Sequence, residues 1–102
     1  MYTVIETLLF RNQWPSLWTP AIHDQFAAYI SDQPQIGKVI PGSRGLRKVR
    51  WGRAGTGKSG GVRIIYLLQM PDRVVLLTIY SKSATDDLTF AELKELRRVV
   101  EE

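Results

Sequence analysis

Two apolar runs joined by a four-residue turn constrain this chain most. Val62-Arg-Ile-Ile-Tyr-Leu-Leu-Gln69 is rich in β-branched and aromatic side chains, and residues 74–80 form a near-continuous apolar run. Between them lies Met70-Pro-Asp-Arg73, where proline sets φ at the second turn position and Asp72 tolerates the third. An apolar run without alternation marks a strand covered on both faces, so residues 74–80 are expected at the centre of a sheet, paired with Val62–Gln69.

The rest of the chain supplies further strands and the helices that cover them. Residues 3–10 read as a first strand with Glu6 on its exposed side, and residues 11–18, with Pro15 and two tryptophans, as a short helix or a loop. Thr19-Pro20 is the favoured order of N-cap and first helical residue. Ile22, Phe26, Tyr29 and Ile30 then give one apolar face to a helix ending near Pro34, with His23 beside it as a structural histidine. Leu46, Val49 and Trp51 alternate with Arg47, Lys48 and Arg50, the pattern of a half-buried strand with a basic outer face. Thr89-x-x-Glu92 is a capping box flanked by Leu88 and Leu93 as a hydrophobic staple; Asp86 and Asp87 stand just before it as structural caps. Leu93, Leu96 and Val100 continue the stripe of a last helix. The expected fold is α+β: a small, mostly antiparallel twisted sheet with N-terminal helices and a C-terminal helix packed on it, one domain over residues 1–102.

Charge is distributed unevenly along this frame. Between Asp32 and Asp72 there is no acidic residue, yet eight of the fourteen basic residues lie there, so residues 33–71 carry +8 and the remainder −4. Such a field steers polyanions to one face, and a phosphate backbone is the first partner to consider. With no cysteine and one histidine, a thiolate metal site, a disulfide framework and a cysteine nucleophile are excluded. The N-terminus has no leading positive charge and meets Glu6 early, and no apolar run approaches the ~20 residues of a membrane span. A cytoplasmic protein is expected.

Gly52-Arg-Ala-Gly-Thr-Gly-Lys-Ser59 matches the phosphate-binding pattern G-x-x-x-x-G-K-[ST], but that motif must lead into a helix, and here Gly-Gly-Val-Arg begins a strand. The segment reads better as a glycine-rich hairpin loop carrying Arg53 and Lys58 toward a polyanion. Trp51, Tyr66 and Tyr80 lie near the basic strands, as core residues or as platforms for splayed bases. No Ser-His-Asp or Cys-His arrangement is available, so an enzyme built on this chain works mainly with lysine, arginine and tyrosine. RNA cleavage by the substrate's own 2′-hydroxyl suits that set, since the protein then supplies orientation, charge stabilisation and proton transfer.

Gly45-Leu-Arg-Lys-Val-Arg50, Gly55-Thr-Gly-Lys-Ser-Gly-Gly-Val-Arg-Ile-Ile-Tyr66, Leu76-Leu-Thr-Ile-Tyr-Ser-Lys82 and Asp87-Leu-Thr89 together resemble the HigB-like branch of the RelE/ParE toxin superfamily. The resemblance runs from about residue 36 to residue 96 and is specific in its combination of motifs; the stretch before it matches only in general layout. It implies a type II toxin: a ribosome-dependent, metal-independent mRNA endoribonuclease that inhibits translation, needs no cofactor, is held by a cognate antitoxin, and meets DNA only through that antitoxin. Carried onto this chain, it implies that Arg63 stabilises the transition state and that Lys48, Arg50, Lys82 and Tyr80 complete the catalytic set. Arg44, Arg47, Arg53 and Lys58 are the implied RNA contacts. RelE-like enzymes have an arginine and a tyrosine where this chain has Ser83 and Thr89, which leaves Lys82 or Tyr80 to act as base. Two alternatives stand beside this reading: a non-enzymatic, gyrase-inhibiting toxin of the ParE kind, and a nucleic-acid-binding regulator without chemistry.

Overall fold

The computed structural model describes residues 1–52, 61–85 and 87–100. Strand β1 (Thr3–Glu6) leads into helix α1 (Leu8–Gln13), a 3-10 turn (Trp14–Ser16) and helix α2 (Pro20–Asp32). Strands β2 (Lys38–Val39), β3 (Arg47–Trp51), β4 (Val62–Gln69) and β5 (Arg73–Ser81) follow, and helix α3 (Phe90–Val99) comes last. The sheet order is β1-β5-β4-β3-β2, with β1 parallel to β5 and the other pairs antiparallel. This is the expected α+β architecture.

Its two faces are covered by different helices. Phe10 of α1 and Phe26 and Ile30 of α2 pack with Trp18 on Val49, Val62, Ile64, Tyr66, Val74, Leu76 and Ile79. Leu93 and Leu96 of α3 pack on Leu46, Ile65, Leu67, Val75 and Leu77 of the opposite face. Both long helices begin as their sequences require. Thr19 accepts a hydrogen bond from the Ile22 amide at 3.3 Å with Pro20 following it. In the capping box the Glu92 amide donates to Thr89 Oγ1 at 3.1 Å, and the Thr89 amide donates to Glu92 Oε1 at 2.7 Å.

Three sequence expectations need correction. Residues 3–10 do not form one strand, because Thr7 accepts from the Phe10 amide at 3.3 Å and caps α1, turning Phe10 into the core from a helix. The central strand is β4, not residues 74–80: β5 is flanked by β4 and by the short parallel β1, and its apolar run reflects cover from both clusters. A fifth strand, β2, is too short to leave a periodic signal.

Tyr66 is a core residue and not a base-stacking platform. Fully buried, its hydroxyl accepts from the Gly37 amide and donates to the Pro34 carbonyl, both at 2.8 Å. Burial raises its pKa above the ordinary tyrosine value, opposed by the Gly37 hydrogen bond and by nearby Arg47. Residue 37 must be glycine, since a Cβ there would stand 2.7 Å from the Tyr66 ring.

One irregularity decides where side chains point. The β4–β5 register shifts from Ile65↔Thr78 to Tyr66↔Leu76, leaving Leu77 as an extra residue. Such a bulge re-aims the side chains beyond it. Before the bulge the odd residues Val75 and Leu77 face α3; after it Ile79 joins the α2 cluster and Tyr80 faces α3. Helix α1 holds this edge, which β1 no longer covers. The Thr7 hydroxyl donates to the carbonyls of Leu76 (3.0 Å) and Leu77 (3.1 Å). Gln13 Oε1 accepts from Thr78 Oγ1 (2.8 Å) and from the Ile79 amide (3.1 Å).

Candidate functional site

Cross-strand pairing sets Arg50, Arg63 and Tyr80 in one row, Arg50↔Arg63 from β3 to β4 and Arg63↔Tyr80 from β4 to β5. Directly paired residues share a face, and this is the face that α3 covers. Lys48 lies two residues from Arg50 on the same side. The bulge is what brings Tyr80 into the row. Lys82 follows β5 in an exposed turn whose amide donates to the Gly61 carbonyl at 3.4 Å. The strands thus bring together Lys48, Arg50, Arg63 and Tyr80, with Lys82 at the end of β5.

Arg63 is the unusual member. The residue is only 7% exposed, and Nη1 has no hydrogen-bond partner among the described residues. A buried guanidinium nitrogen without a partner is costly, and functional sites are where such costs are retained. The hydroxyl of Tyr80, its cross-strand pair, is likewise buried without a partner among the described residues. Burial, and then the Asp87 carboxylate, push the Tyr80 pKa up against the opposing pull of Arg63, so Tyr80 keeps its proton at neutral pH.

Asp87 is the residue that sequence reasoning assigned wrongly. It does not cap α3, because Thr89 does; instead Asp87 Oδ1 accepts from Lys48 Nζ at 2.8 Å. The hydrogen bond and charge of Lys48, with a smaller contribution from Arg63, hold its carboxyl below the usual aspartate value. Lys48, Tyr80 and Asp87, with Ile40, Leu88 and Leu93, line a cleft of about 260 Å³. A carboxylate paired with Lys48 and close to Arg63 stands where a phosphate group is electrostatically welcome. The signal available in the sequence was proximity to the first turn of a helix, which led to the capping role.

The expected RNA contacts are not all gathered here. Arg47 points to the opposite side, where its Nη1 donates to the carbonyls of Gly37 (2.7 Å) and Gln35 (3.3 Å). Arg44 lies in the turn before β3 with φ 62°, and its carbonyl accepts from Arg97 Nε at 3.1 Å. Arg53 and Lys58, most of the glycine-rich motif, and Asp86 lie outside the described residues. Trp51 packs against the rings of Phe26 (5.3 Å) and Tyr29 (4.8 Å), which places it in the α2 layer and not among bases. His23 is structural as expected, stacked 4.1 Å from Trp14 and hydrogen-bonded to Glu6, which is half-buried and not turned to solvent. Among the described residues no three His, Asp or Glu side chains are grouped to hold a metal ion, and no helix is long and apolar enough to cross a membrane.

A five-stranded sheet with a buried arginine, a tyrosine and flanking lysines on the face covered by a C-terminal helix defines a class of small α+β protein. The family described as the RelE toxin of the RelE/RelB toxin–antitoxin system matches residues 41–102, more than half of the chain. The chain belongs to the RelE toxin family, within the RelE/ParE superfamily. It is therefore a toxin of a toxin–antitoxin system, with a cognate antitoxin as partner. The matched span contains every residue of the arginine–tyrosine row and the whole of α3.

Proposed function

We propose that this toxin is a ribosome-dependent mRNA endoribonuclease of the HigB-like branch, acting as one domain over residues 1–102 in the cytoplasm. The observation that carries the reading is that two directly paired residues, Arg63 and Tyr80, each bury a polar atom, Nη1 and the hydroxyl, without a partner among the described residues. Groups of this kind suit the non-bridging oxygens and the leaving oxygen of a phosphodiester. In the reaction the substrate 2′-oxygen bonds to the adjacent phosphorus and the bond to the 5′-oxygen breaks, leaving a 2′,3′-cyclic phosphate and a 5′-hydroxyl. Arg63 neutralises the charge that builds on the phosphoryl oxygens, with Arg50 at the outer end of the row gripping the backbone. Lys48 exchanges Asp87 for the phosphate as RNA enters. Tyr80, whose hydroxyl stays protonated, donates to the departing 5′-oxygen, and the 2′-proton passes to water. This chemistry needs no cofactor.

Primer extension on a reporter mRNA in a reconstituted translation reaction tests the reading, with wild type beside Arg63→Ala. Discrete cuts within codons are expected, present only with ribosomes and absent in the variant. Intact mRNA with wild-type toxin present, or undiminished cutting by a folded Arg63→Ala protein, refutes it.

A further inference from the structure

Beyond Leu93, which it shares with the catalytic cleft, α3 borders a second cavity of about 320 Å³. Its far wall is the turn at Gly42 and Ser43; Phe90, Lys94 and Arg97 line its helical side. These three, with Leu93, recur at spacings of three and four and so share one face of the helix. Phe90 is 66% exposed, a large ring presented to solvent at the first position of α3. Gly42 and Gly45 take positive φ of 72° and 97°, and the buried Ser43 hydroxyl donates to the Ile40 carbonyl at 2.6 Å and accepts from the Leu46 amide at 3.1 Å. Arg97 ties this turn to the helix through the Arg44 carbonyl, so the cavity has two fixed walls. Glu95 pairs with Arg98 at 3.0 Å, and Lys94 has no ion pair among the described residues.

An exposed aromatic ring next to cations is the combination that binds single-stranded nucleic acid, the ring stacking on a base and the cations holding the phosphate. The cavity adjoins the site where the scissile phosphate is proposed to bind. We infer that the Phe90–Lys94–Arg97 cavity is an accessory subsite for one nucleotide of the single-stranded RNA flanking the cleavage point, its base stacked on Phe90 and its phosphate on Lys94 and Arg97. The subsite rests on the proposed RNA-cleaving function and adds to it a positioning surface outside the chemistry. RNA is favoured over an acidic peptide because the cavity shares the Leu93 wall with the cleft proposed to hold the scissile phosphate, and because the stacking ring and the phosphate-holding cations lie on the same helical face.

Fluorescence anisotropy with the full-length protein and a short 2′-O-methyl oligoribonucleotide, which lacks the attacking hydroxyl, tests this directly. Phe90→Ala and Phe90→Leu are each expected to weaken binding about fivefold or more, the size of a lost aromatic–base stack, with the salt dependence unchanged. Lys94→Gln is expected to lower the salt slope by about 0.7, the value for one phosphate contact on a single strand. An abasic nucleotide at the flanking position reproduces the Phe90→Ala loss in wild type and adds nothing to it in the variant. Thermal melting confirms that the variants are folded, and the leucine variant keeps the apolar bulk should alanine disturb the helix start. Unchanged affinity in all three variants overturns the subsite, as does RNA binding that is intact while neutralisation by the coexpressed cognate antitoxin is lost. The underlying function is judged separately: a wild type that cuts mRNA on ribosomes while Phe90→Ala binds normally retires the subsite alone, and a wild type that neither binds nor cuts RNA retires both.

Discussion

Replacing Arg63 with methionine separates the cost of burying this guanidinium from its proposed use in cleavage. The guanidinium lies in the central strand at 7% exposure with Nη1 unpartnered among the described residues. Leaving a buried polar group unsatisfied costs about 1–3 kcal/mol, more when it is charged. Methionine keeps an unbranched stem of similar reach in contact with the same neighbours and carries no donor to desolvate. The variant is therefore expected to gain about 1–3 kcal/mol of stability. In a domain of this size each kcal/mol moves Tm by about 4–8 °C, so a rise of at least about 4 °C is expected in a thermal melt. In the ribosome cleavage assay the same variant is expected to lose about 10²- to 10³-fold in rate, the usual effect of deleting a donor that meets developing charge. Higher stability with lost activity is the signature of a group kept for function. A lowered Tm refutes this reasoning, because it means that the guanidinium holds the sheet together; retained activity refutes Arg63 as the charge-stabilising group.

Three further outcomes follow from the geometry. Gln13→Leu removes the acceptor for Thr78 Oγ1 and the Ile79 amide, so it is expected to cost about 1–3 kcal/mol in urea unfolding and to slow mRNA cleavage by releasing Tyr80; Gln13→Glu, which keeps an acceptor oxygen, is expected to restore cleavage. Gly37→Ala sets a methyl 2.7 Å from the buried Tyr66 ring, and a loss of about 1–3 kcal/mol is expected, read as a lower urea midpoint. Asp87 has a depressed carboxyl pKa in the folded protein, so the stability its pairing with Lys48 contributes is present above the unfolded value of 3.8 and is lost as pH falls below it. A carbon-detected NMR titration of Asp87 is expected to show a midpoint below 3.8, moving upward in Lys48→Gln.

How far the sequence could be read depended on the range of the interaction that decides each feature. The capping box of α3, the Thr19-Pro20 start of α2 and the strand Val62–Gln69 are set by neighbours a few residues apart, and all three stand as expected. The N-cap at Thr7 was equally local, but its flanking residues are β-branched and aromatic, so strand propensity hid it until the hydroxyl was seen bonding across the sheet to Leu76. That β3, β4 and β5 are neighbours was implied by hairpin order and is realised in the pairing of Arg50 with Arg63 and of Arg63 with Tyr80. Which cations leave the group was not legible. Arg47 has the same chemistry as Lys48 and a neighbouring number, yet the alternation of the strand sends it to the Gly37 carbonyl. Asp87 has its partner 39 positions away, a separation at which no spacing rule operates.

The single extra residue at Leu77 shows why composition alone could not complete the site. Strict alternation along β5 would put Tyr80 on the side of Val74 and Leu76, beneath α2, with no path to Arg63. The register shift reverses the phase, so that Ile79 fills the α2 core while Tyr80 turns toward the cleft. A bulge leaves backbone groups without ladder partners, and this one lies just beyond the last pairing of β1, where that edge of β5 is no longer covered by a strand. Thr7 and Gln13 supply the missing partners from the two ends of α1. The N-terminal segment lies before the residues that match the toxin family, and it contributes none of the cationic or tyrosine groups of the site. It nevertheless stabilises the irregularity on which the orientation of Tyr80 depends. The beginning of the chain thus bears on the orientation of Tyr80 through the side-chain hydrogen bonds of Thr7 and Gln13, a link that neither charge patterning nor motif spacing expresses.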